Sequence, residues 1–593
     1  MKIKRLIAVG AVVAAGALVL AGCSSGGASE VVSGTSLSVA QNSAMTAMNP
    51  NTATGYSTYN SNISYMFQSP FNYYDNKTKL IKNTDFATYE KVSSNPLTIK
   101  YTIKDGVKWT DGTPVNAADI LLSWASSISK NNKGDVNFGS INAGGGTDLI
   151  TKTPKISDNG RSLTVIYDKP YVDWEPVNAL NVNLPAHIVW EEAGIDKKTG
   201  TDAQNAFIKA VQDNDTADLA KLAKAWKTKW NFTSLPTDKR LLVTDGPYKV
   251  TALTKQYVTL VANPDFTWGP KPKVAKITVR FIADQTAQVQ ALQNGEVNVL
   301  YGQASADTVK ALSGLKGVES TTTPTATFEH VDLTFNNKGP FDPATYGGDA
   351  QKALEVRQAF FKVLPRQEML DRLIKPLSST AKLDDSALFI PGQAGYDESV
   401  ANNDSSEYQK VDVDAAKALL AKAGVTTPIT VRFAYANDNP RRQGEFQLIQ
   451  ASAKAAGFDV TDVGKPGAQF FDPEVGIGTG KYVYDATVFA YQLTSSTVTQ
   501  SEANTTTGNA YNYQGYSNPE VDKLWKQAEV ATSGTAAIPL QQKIDGYLLK
   551  DAATISLFQL PDVSAWSSNI KNVSDAPYSP NIFWNFFDWS VSK

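Results

Sequence analysis

Three short motifs in the sequence could build a nucleophilic serine site. They are a Ser-x-x-Lys element at 127–130, a Ser-Asp-Asn element at 157–159 and a Lys-Thr-Gly element at 198–200. In this order they are the elements of serine hydrolases of the penicillin-binding type, in which the first serine attacks a carbonyl carbon. The order alone would make Ser127 a candidate nucleophile.

The surroundings of these motifs disfavour catalysis. Ser127 falls near the end of a helix predicted to begin at Asn116, whereas the serine of such enzymes opens a helix. The Ser-Asp-Asn element precedes Gly160 and is typical of a hairpin turn, and the Lys-Thr-Gly element lies in a polar stretch. We therefore predict that the chain is not an enzyme and has no catalytic residue, and keep the serine hydrolase as a remote alternative.

Metal and acid–base chemistry has few candidates. The sequence contains two histidines, His187 and His330, and their separation does not fit the close His pairs of zinc sites. Asp384 and Asp385 are adjacent, and on a strand neighbouring side chains point to opposite faces. A pair of carboxylates brought together only by folding stays open. We expect no metal and no cofactor.

The chain has one cysteine, Cys23. A basic start with Lys2, Lys4 and Arg5 precedes an apolar run from residue 6 to residue 20, which ends in Leu-Ala-Gly-Cys. This arrangement is typical of a bacterial lipoprotein signal. It predicts a signal peptide over 1–22, cleavage before Cys23 and lipid on its thiol and new amino group, followed by a flexible tether over 23–34.

Composition limits the remaining classes. The chain has 593 residues, 42% of them hydrophobic and 19% charged, a composition that folds, and its length favours two or three domains. The formal net charge of −2 gives no support for nucleic-acid binding, which requires a basic surface. No later segment reaches the roughly 18 apolar residues of a membrane span.

Strands and helices alternate along the sequence. Residues 97–103 alternate apolar and polar as in a half-buried strand, and 161–168 and 276–281 do likewise. Helices are predicted over 284–293, 414–423 and 443–456, each followed by a glycine and then a strand-like stretch. Residues 203–230 are predicted to be helical. Repeated helix–glycine–strand units indicate an α/β fold with mixed sheets.

Several segments, in one order, resemble the oligopeptide/dipeptide-binding family of ABC importer subunits, solute-binding protein family 5. The clearest is 107–120, Val-Lys-Trp-Thr-Asp-Gly-Thr-Pro-Val-Asn-Ala-Ala-Asp-Ile. We expect it to form a strand end, an Asp-Gly turn and a helix capped by Asn116, with Asp119 in the first turn. Further stretches complete the resemblance, at 184–190, 245–250, 291–298, 335–337 with 356–360, 414–424 and 515–522.

The resemblance implies a two-lobed periplasmic-binding-protein-like fold with two hinge crossings and ligand bound between the lobes. Lobe one is expected to comprise residues 35–75, 236–327 and 561–593. A subdomain over 76–235 is inserted in it, and lobe two covers 328–560. The threonine-rich stretch 321–327 is a plausible crossing, and Leu560-Pro561 a plausible return.

Carrying family positions onto this sequence gives a set of candidate ligand-binding residues. Tyrosines would pack on the ligand and donate hydrogen bonds, and glutamines would fix its polar groups. The candidates are Thr54, Gly55, Tyr56, Tyr301, Gln303, Phe328, Gln469, Phe470, Tyr491 and Gln492.

One departure from the family bears on the ligand. Peptide-binding members place an acidic residue after the strand that matches 485–489, where it pairs with the peptide ammonium. Here 490–496 contains no carboxylate, and a buried ammonium without a counter-charge is costly. Either the anchor lies elsewhere or the ligand is not an ordinary free peptide, because family members also carry sugars and metal chelates.

The expected partners follow from the same resemblance. They are a small peptide or other small solute, ABC permease subunits, and the membrane through lipid on Cys23. The chain would act as a monomer on the outer face of the cytoplasmic membrane. A chemosensory or adhesive binding lipoprotein without a transporter remains the alternative.

Overall fold

The computed structural model describes residues 31–175, 180–472, 474–509 and 511–592. The predicted signal peptide, Cys23 and the tether as far as residue 30 lie outside the described residues.

Twenty strands and sixteen α-helices are described, labelled here in chain order. The strands are β1 (Val32–Gln41), β2 (Asn72–Tyr74), β3 (Leu80–Lys82), β4 (Ala87–Ser94), β5 (Leu97–Ile103), β6 (Asn132–Lys133), β7 (Val136–Asn137), β8 (Lys155–Ser157), β9 (Ser162–Ile166), β10 (Tyr248–Leu253), β11 (Tyr257–Ala262), β12 (Val274–Phe281), β13 (Val299–Gln303), β14 (Val318–Leu333), β15 (Ile429–Ala434), β16 (Phe458–Asp462), β17 (Ala486–Gln492), β18 (Thr554–Ser567), β19 (Ile570–Lys571) and β20 (Ser590–Val591). The helices are α1 (Thr58–Ser64), α2 (Ala117–Ser127), α3 (Ala186–Ala193), α4 (Gly200–Gln212), α5 (Thr216–Thr228), α6 (Gln285–Gln293), α7 (Ala306–Ser313), α8 (Ala350–Lys362), α9 (Arg366–Met369), α10 (Tyr396–Val400), α11 (Val413–Ala423), α12 (Pro440–Lys454), α13 (Gly467–Phe470), α14 (Glu502–Thr505), α15 (Pro519–Glu529) and α16 (Gly534–Lys550).

A ten-stranded mixed sheet runs through both lobes in the order β10-β11-β12-β1-β13-β18-β14-β17-β15-β16. Its centre is the antiparallel pair β14 and β18, two long strands that belong to both lobes. Their register shifts between Pro324 and Phe328, next to the point where Pro324 faces Pro561. Because proline has no N–H to donate, the ladder is weakened here. The predicted crossings at 321–327 and 560–561 lie within these two strands.

Separate hydrophobic cores lie on the two sides of this crossing. The lobe-one core includes residues of β1, β5, β9 and β10–β12 together with α2–α5. The lobe-two core packs β14, β15 and β17 against α8, α11 and α12. A third core surrounds Trp525 between α15 and α16. Two cores joined by two strands are the architecture of lobes that can move as separate bodies.

The segment 107–120 has the predicted structural role. Asn116 Oδ1 accepts from the amide of Ala118 at 2.8 Å, and Asp119 Oδ2 accepts from the amide of Asn116 at 2.9 Å, which completes a capping box on α2. Asp119 Oδ1 also accepts from the amide of Ala186 at 2.8 Å. Burial raises the pKa of Asp119 to about 6 although these donors oppose the shift. The motif therefore joins α2 to the start of α3 within the inserted subdomain.

Element boundaries follow local capping signals. The helix predicted over 443–456 instead spans 440–454, since Asn439 caps it and Pro440 fills its first turn. The helical stretch predicted over 203–230 is two helices, α4 and α5, separated by a turn in which Asn214 has a φ of 52° and Asp215 caps α5. Local side-chain caps, rather than hydrophobic periodicity, set both boundaries.

Candidate functional site

Six aromatic side chains meet where the lobes face each other. We call them the aromatic cluster: Tyr56 of lobe one, and Phe471, Phe489, Tyr491, Tyr511 and Tyr513 of lobe two. The rings of Tyr56 and Tyr511 join the two lobes in an edge contact, with 6.1 Å between their centroids. Such geometry is favourable between aromatic rings.

The loop before α1 holds Tyr56 in place. A Cβ atom at position 55 would lie 2.0 Å from the carbonyl oxygen of Asn49, so glycine is required there. The Gly55 carbonyl accepts a hydrogen bond from Asn60 Nδ2 at 2.8 Å. The Tyr56 side chain nevertheless remains 61% exposed. A fixed backbone that presents a largely uncovered ring is suited to stacking on a ligand.

Strand β17 builds the lobe-two side of the cluster. Its end carries Phe489 and Tyr491, whose ring centroids are 5.0 Å apart. Tyr513 packs on Phe489 at 6.1 Å, and Phe471 contacts Phe489 at 6.2 Å while remaining 51% exposed. The cluster therefore offers mainly ring faces to whatever occupies the space between the lobes.

A buried polar layer lies behind Tyr491. The Tyr491 ring stacks on His330 at 4.5 Å, and its hydroxyl has no hydrogen-bond partner within the described part of the chain. Burial, then the Asp332 carboxylate, raises the pKa of Tyr491 well above its ordinary value. A cavity of about 20 Å³ lined by Tyr491, His330, Asp332 and Gln514 adjoins this hydroxyl. It has room for one water molecule.

Charged side chains form a largely buried group beside strand β14. We call Glu329, Arg441, Arg442 and Glu445 the hinge charge cluster. Arg442 Nε donates to Glu329 Oε1 at 2.7 Å, and Arg441 Nη2 lies 3.0 Å from Glu329 Oε2. Burial alone would raise the pKa of Glu329, but the two arginines lower it to about 2. Burial raises the pKa of Glu445 to about 7 in spite of its ion pair with Arg441.

Two of the candidate residues, Tyr301 and Gln303, form side-chain hydrogen bonds from β13, one within lobe one and one to lobe two. The Tyr301 hydroxyl donates to Asp562 Oδ2 at 2.6 Å, and burial raises the pKa of Asp562 to about 6. Gln303 Oε1 accepts from Asn439 Nδ2 at 3.3 Å. Because Asn439 caps α12 of lobe two, the Gln303 contact spans the lobes. Both side chains already have protein partners, so their roles toward a ligand stay predictions.

The other candidate residues occupy different environments. Thr54 is exposed beside Tyr56, and Gln469 is exposed on α13. Phe328 is 4% exposed and packs with Leu493 and Tyr578. Gln492 Nε2 donates to Asn581 Oδ1 at 2.8 Å, a second contact between β17 and the C-terminal segment.

The pair Phe470 and Phe471 shows how the sequence reasoning missed a residue. Phe470, the predicted candidate, is fully buried in a separate apolar cluster of lobe two with Tyr482 and Phe489, whereas its neighbour Phe471 packs beside Phe489 and is half-exposed. Tyr511 and Tyr513 were missed as well. Their alternation in the stretch Tyr-Asn-Tyr-Gln-Gly-Tyr at 511–516 is a signal that could have indicated them, since alternate residues share a face in extended chain.

The three serine hydrolase motifs lie on separate structural elements. Ser127 is the last residue of α2, residues 157–160 form the turn between β8 and β9, and Thr199 precedes α4 as its cap residue. His187 Nε2 lies 2.9 Å from Asp111 Oδ2 and is buried, which fits a structural role.

A larger open depression, of about 620 Å³, lies on the outer side of lobe two. It is lined by residues 338–340, 345–346, 352, 424–426, 429–430, 432 and 485, which all belong to that lobe. Its lining ends at Arg432, whereas the aromatic cluster adjoins the far ends of the sheet strands. The depression is therefore not part of the space between the lobes.

Across the ranges that the structure covers, no group of three or more His, Cys, Asp or Glu side chains is placed to hold a metal ion. In the same ranges, no helix is both long and apolar enough to cross a membrane.

Solved structures and curated proteins resemble this chain along nearly its whole length. The periplasmic EDTA-binding protein EppA superposes with a TM-score of 0.78 at 22% identity, covering 94% of this chain and 96% of that one. The oligopeptide-binding protein AppA from Bacillus subtilis, solved with a nonapeptide, gives a TM-score of 0.70 at 18% identity, covering 94% and 99%. These structures have the two-lobed periplasmic-binding-protein fold, which confirms the fold prediction.

Sequence relatives point the same way. An uncharacterized lipoprotein of Mycobacterium tuberculosis is 23% identical, covering 100% of this chain and 98% of the relative. The oligopeptide-binding protein OppA of Mycobacterium bovis is 24% identical, covering 82% and 73%. The sequence model described as bacterial extracellular solute-binding proteins, family 5 Middle, matches residues 83–501. The chain therefore belongs to the bacterial extracellular solute-binding proteins of family 5.

Proposed function

We propose that this protein captures a small peptide or related solute between its lobes and delivers it to the permease of an ABC importer. Membership of family 5 supports the coarser statement that it is a solute-binding protein. The observation that carries the proposal is the aromatic cluster, in which Tyr56 and Tyr511 meet across the lobes and large ring surfaces stay uncovered.

Binding without turnover is part of the proposal. The motifs that begin at Ser127, Ser157 and Lys198 lie at a helix end, in a turn and just before a helix. The cluster itself holds rings and one buried, unpartnered hydroxyl. Such a surface can bind and orient a solute.

A screen with a matched variant tests the ligand site. Di- and tripeptides, sugars and metal chelates would each be added to the purified full chain, and the melting temperature recorded. A ligand bound at 100 times its Kd stabilises by about 2.7 kcal/mol. We expect one class to raise the melting temperature, and Tyr56→Ala to weaken its affinity about tenfold, while Tyr56→Phe retains it.

Two results would contradict the site. One is a stabilising ligand whose affinity is the same for wild type and Tyr56→Ala. The other is chemical change of the bound ligand, followed by mass spectrometry, which would contradict a non-catalytic role.

The membrane anchor is proposed from the sequence around Cys23 and from the lipoprotein name of the relatives. Two acyl signals suffice for stable anchoring. Cys23→Ser is expected to release the protein from the membrane fraction. Retention of the variant in that fraction would contradict a lipid anchor at this residue.

A further inference from the structure

A further contact joins the lobes outside both the hinge charge cluster and the aromatic cluster. The Asp173 carboxylate, in the inserted subdomain, accepts hydrogen bonds from the amides of Val498 at 2.9 Å and Thr499 at 2.8 Å. The Thr499 hydroxyl donates to the same carboxylate at 2.8 Å. Asp173 is only 2% exposed. Three donors from lobe two thus converge on one buried carboxylate that belongs to lobe one.

Its neighbour Val172 strengthens the contact. The Val172 amide donates to the carbonyl oxygen of Glu529 at 2.8 Å. The Val172 side chain is a member of the lobe-two core around Trp525, with Val498 among the other members. We call Val172, Asp173, Val498, Thr499 and Glu529 the interlobe latch. It combines apolar burial with charge-assisted hydrogen bonds, which are stronger than those between neutral groups.

The lobe-one side of the latch is held rigidly. Tyr171 stacks on Tyr167 with 5.8 Å between ring centroids. A Cβ atom at position 146 would lie 2.1 Å from the Tyr171 ring, so the close approach of Gly146 fixes this tyrosine. The residue that precedes Val172 and Asp173 is therefore packed against the inserted subdomain in this structure.

We propose that Asp173 is an affinity-determining residue that acts through lobe closure and not by touching the solute. The effect of Asp173 on ligand affinity rests on the proposed function, whereas its effect on lobe closure does not require a ligand. Apparent affinity falls in proportion to the fraction of molecules in the binding-competent form. Because the latch contacts exist only when the lobes are together, they favour the closed form and lower the apparent Kd.

The test measures closure directly. The full chain carrying Cys23→Ser has no other cysteine, so Lys224→Cys in α5 and Lys417→Cys in α11, both exposed, can take a pair of spin labels. The distance distribution without ligand reports the closed fraction. We expect Asp173→Ala to reduce that fraction at least fivefold. Thr499→Val, which removes one donor from the opposite lobe, should reduce it by a smaller factor.

A control and a second readout complete the design. Asp168→Ala alters an exposed aspartate of the same subdomain that accepts from Thr151 within lobe one, and it should leave the distance distribution unchanged. The amount of small molecule retained through purification, by mass spectrometry, should fall about tenfold for Asp173→Ala and not for Asp168→Ala.

Different results overturn different claims. Closed fractions equal in wild type, Asp173→Ala and Thr499→Val would overturn the latch. If Asp173→Ala does not fold, an unchanged closed fraction in Thr499→Val is sufficient by itself to overturn the latch. A wild-type distance that no solute changes, with no retained molecule, would instead contradict the proposed function.

Discussion

The hinge charge cluster and the aromatic cluster use opposite chemistry. In the hinge charge cluster each charged group already has a protein partner, and Arg442 and Glu329 are 2.7 Å apart in a buried setting. In the aromatic cluster the described contacts are between rings, and two of the rings are more than half exposed. The difference teaches that buried ion pairs connect the elements near the crossing strands, whereas the aromatic cluster keeps the uncovered ring surface that the proposed solute site requires.

The largest effect is expected from breaking the charge cluster. Arg442→Met leaves Glu329 buried with one of its two arginines, and loss of one partner of a buried pair costs about 3–5 kcal/mol. The free energy of unfolding, measured by denaturant titration, should fall accordingly. The matched control is Arg280→Met, which removes an exposed ion pair with Glu296 and should cost less than about 1 kcal/mol. Equal losses in the two variants would refute the distinction.

Two adjacent phenylalanines sharpen the comparison within lobe two. Phe470→Ala opens a cavity in a closed core and should destabilise by about 3–5 kcal/mol. Phe471→Ala removes a half-exposed ring, so stability should change by less than about 1 kcal/mol while ligand affinity falls. Denaturant titration and calorimetry with the ligand found by the screen separate the two quantities. A loss of affinity without loss of stability in Phe470→Ala would reverse the assignment.

A smaller effect is expected from pH. The pKa of Glu445 is about 7 in the folded chain, above the ordinary value of 4.5, so the folded state binds more protons than the unfolded state between these values. The contribution of Glu445 to the free energy of unfolding is therefore greatest below about pH 4.5, and it is lost as the pH rises through 7. Asp562, with a pKa of about 6, acts in the same direction.

The check is the slope of unfolding free energy between pH 5 and pH 8. Glu445→Gln should flatten that slope by on the order of 1 kcal/mol across the window. Asp562 and Glu502, whose pKa burial raises to about 7, keep part of the slope in the variant. A slope identical to that of wild type would show that Glu445 is not the titrating group.

Several helix ends could be predicted from the sequence because the residues that cap a helix lie next to it in the chain. The capping box at Asn116 and Asp119 is written in consecutive residues, and the glycine that ends α11 has a φ of 62°. The predicted bounds of α12, 443–456, differ from the observed 440–454. The hydrophobic pattern alone does not show the helix start, which Asn439 and Pro440 set.

The site was harder to predict because it depends on which of two neighbouring residues faces outward. Phe470 and Phe471 have the same side chain. Which of them is buried depends on how α13 packs against the apolar cluster that contains Tyr482 and Phe489. The latch at Asp173 joins residues more than 300 positions apart in the sequence, so no local pattern indicated it. Contacts between lobes are long-range by nature and require the fold.

The central claim is that a solute is held between the lobes by the aromatic cluster. Hydrogen–deuterium exchange of the full chain, with and without the ligand identified by the screen, tests it most directly. We predict simultaneous protection of 52–60 in lobe one and of 486–493 and 511–516 in lobe two. Protection confined to one lobe, or to the outer depression around 424–432, would contradict it.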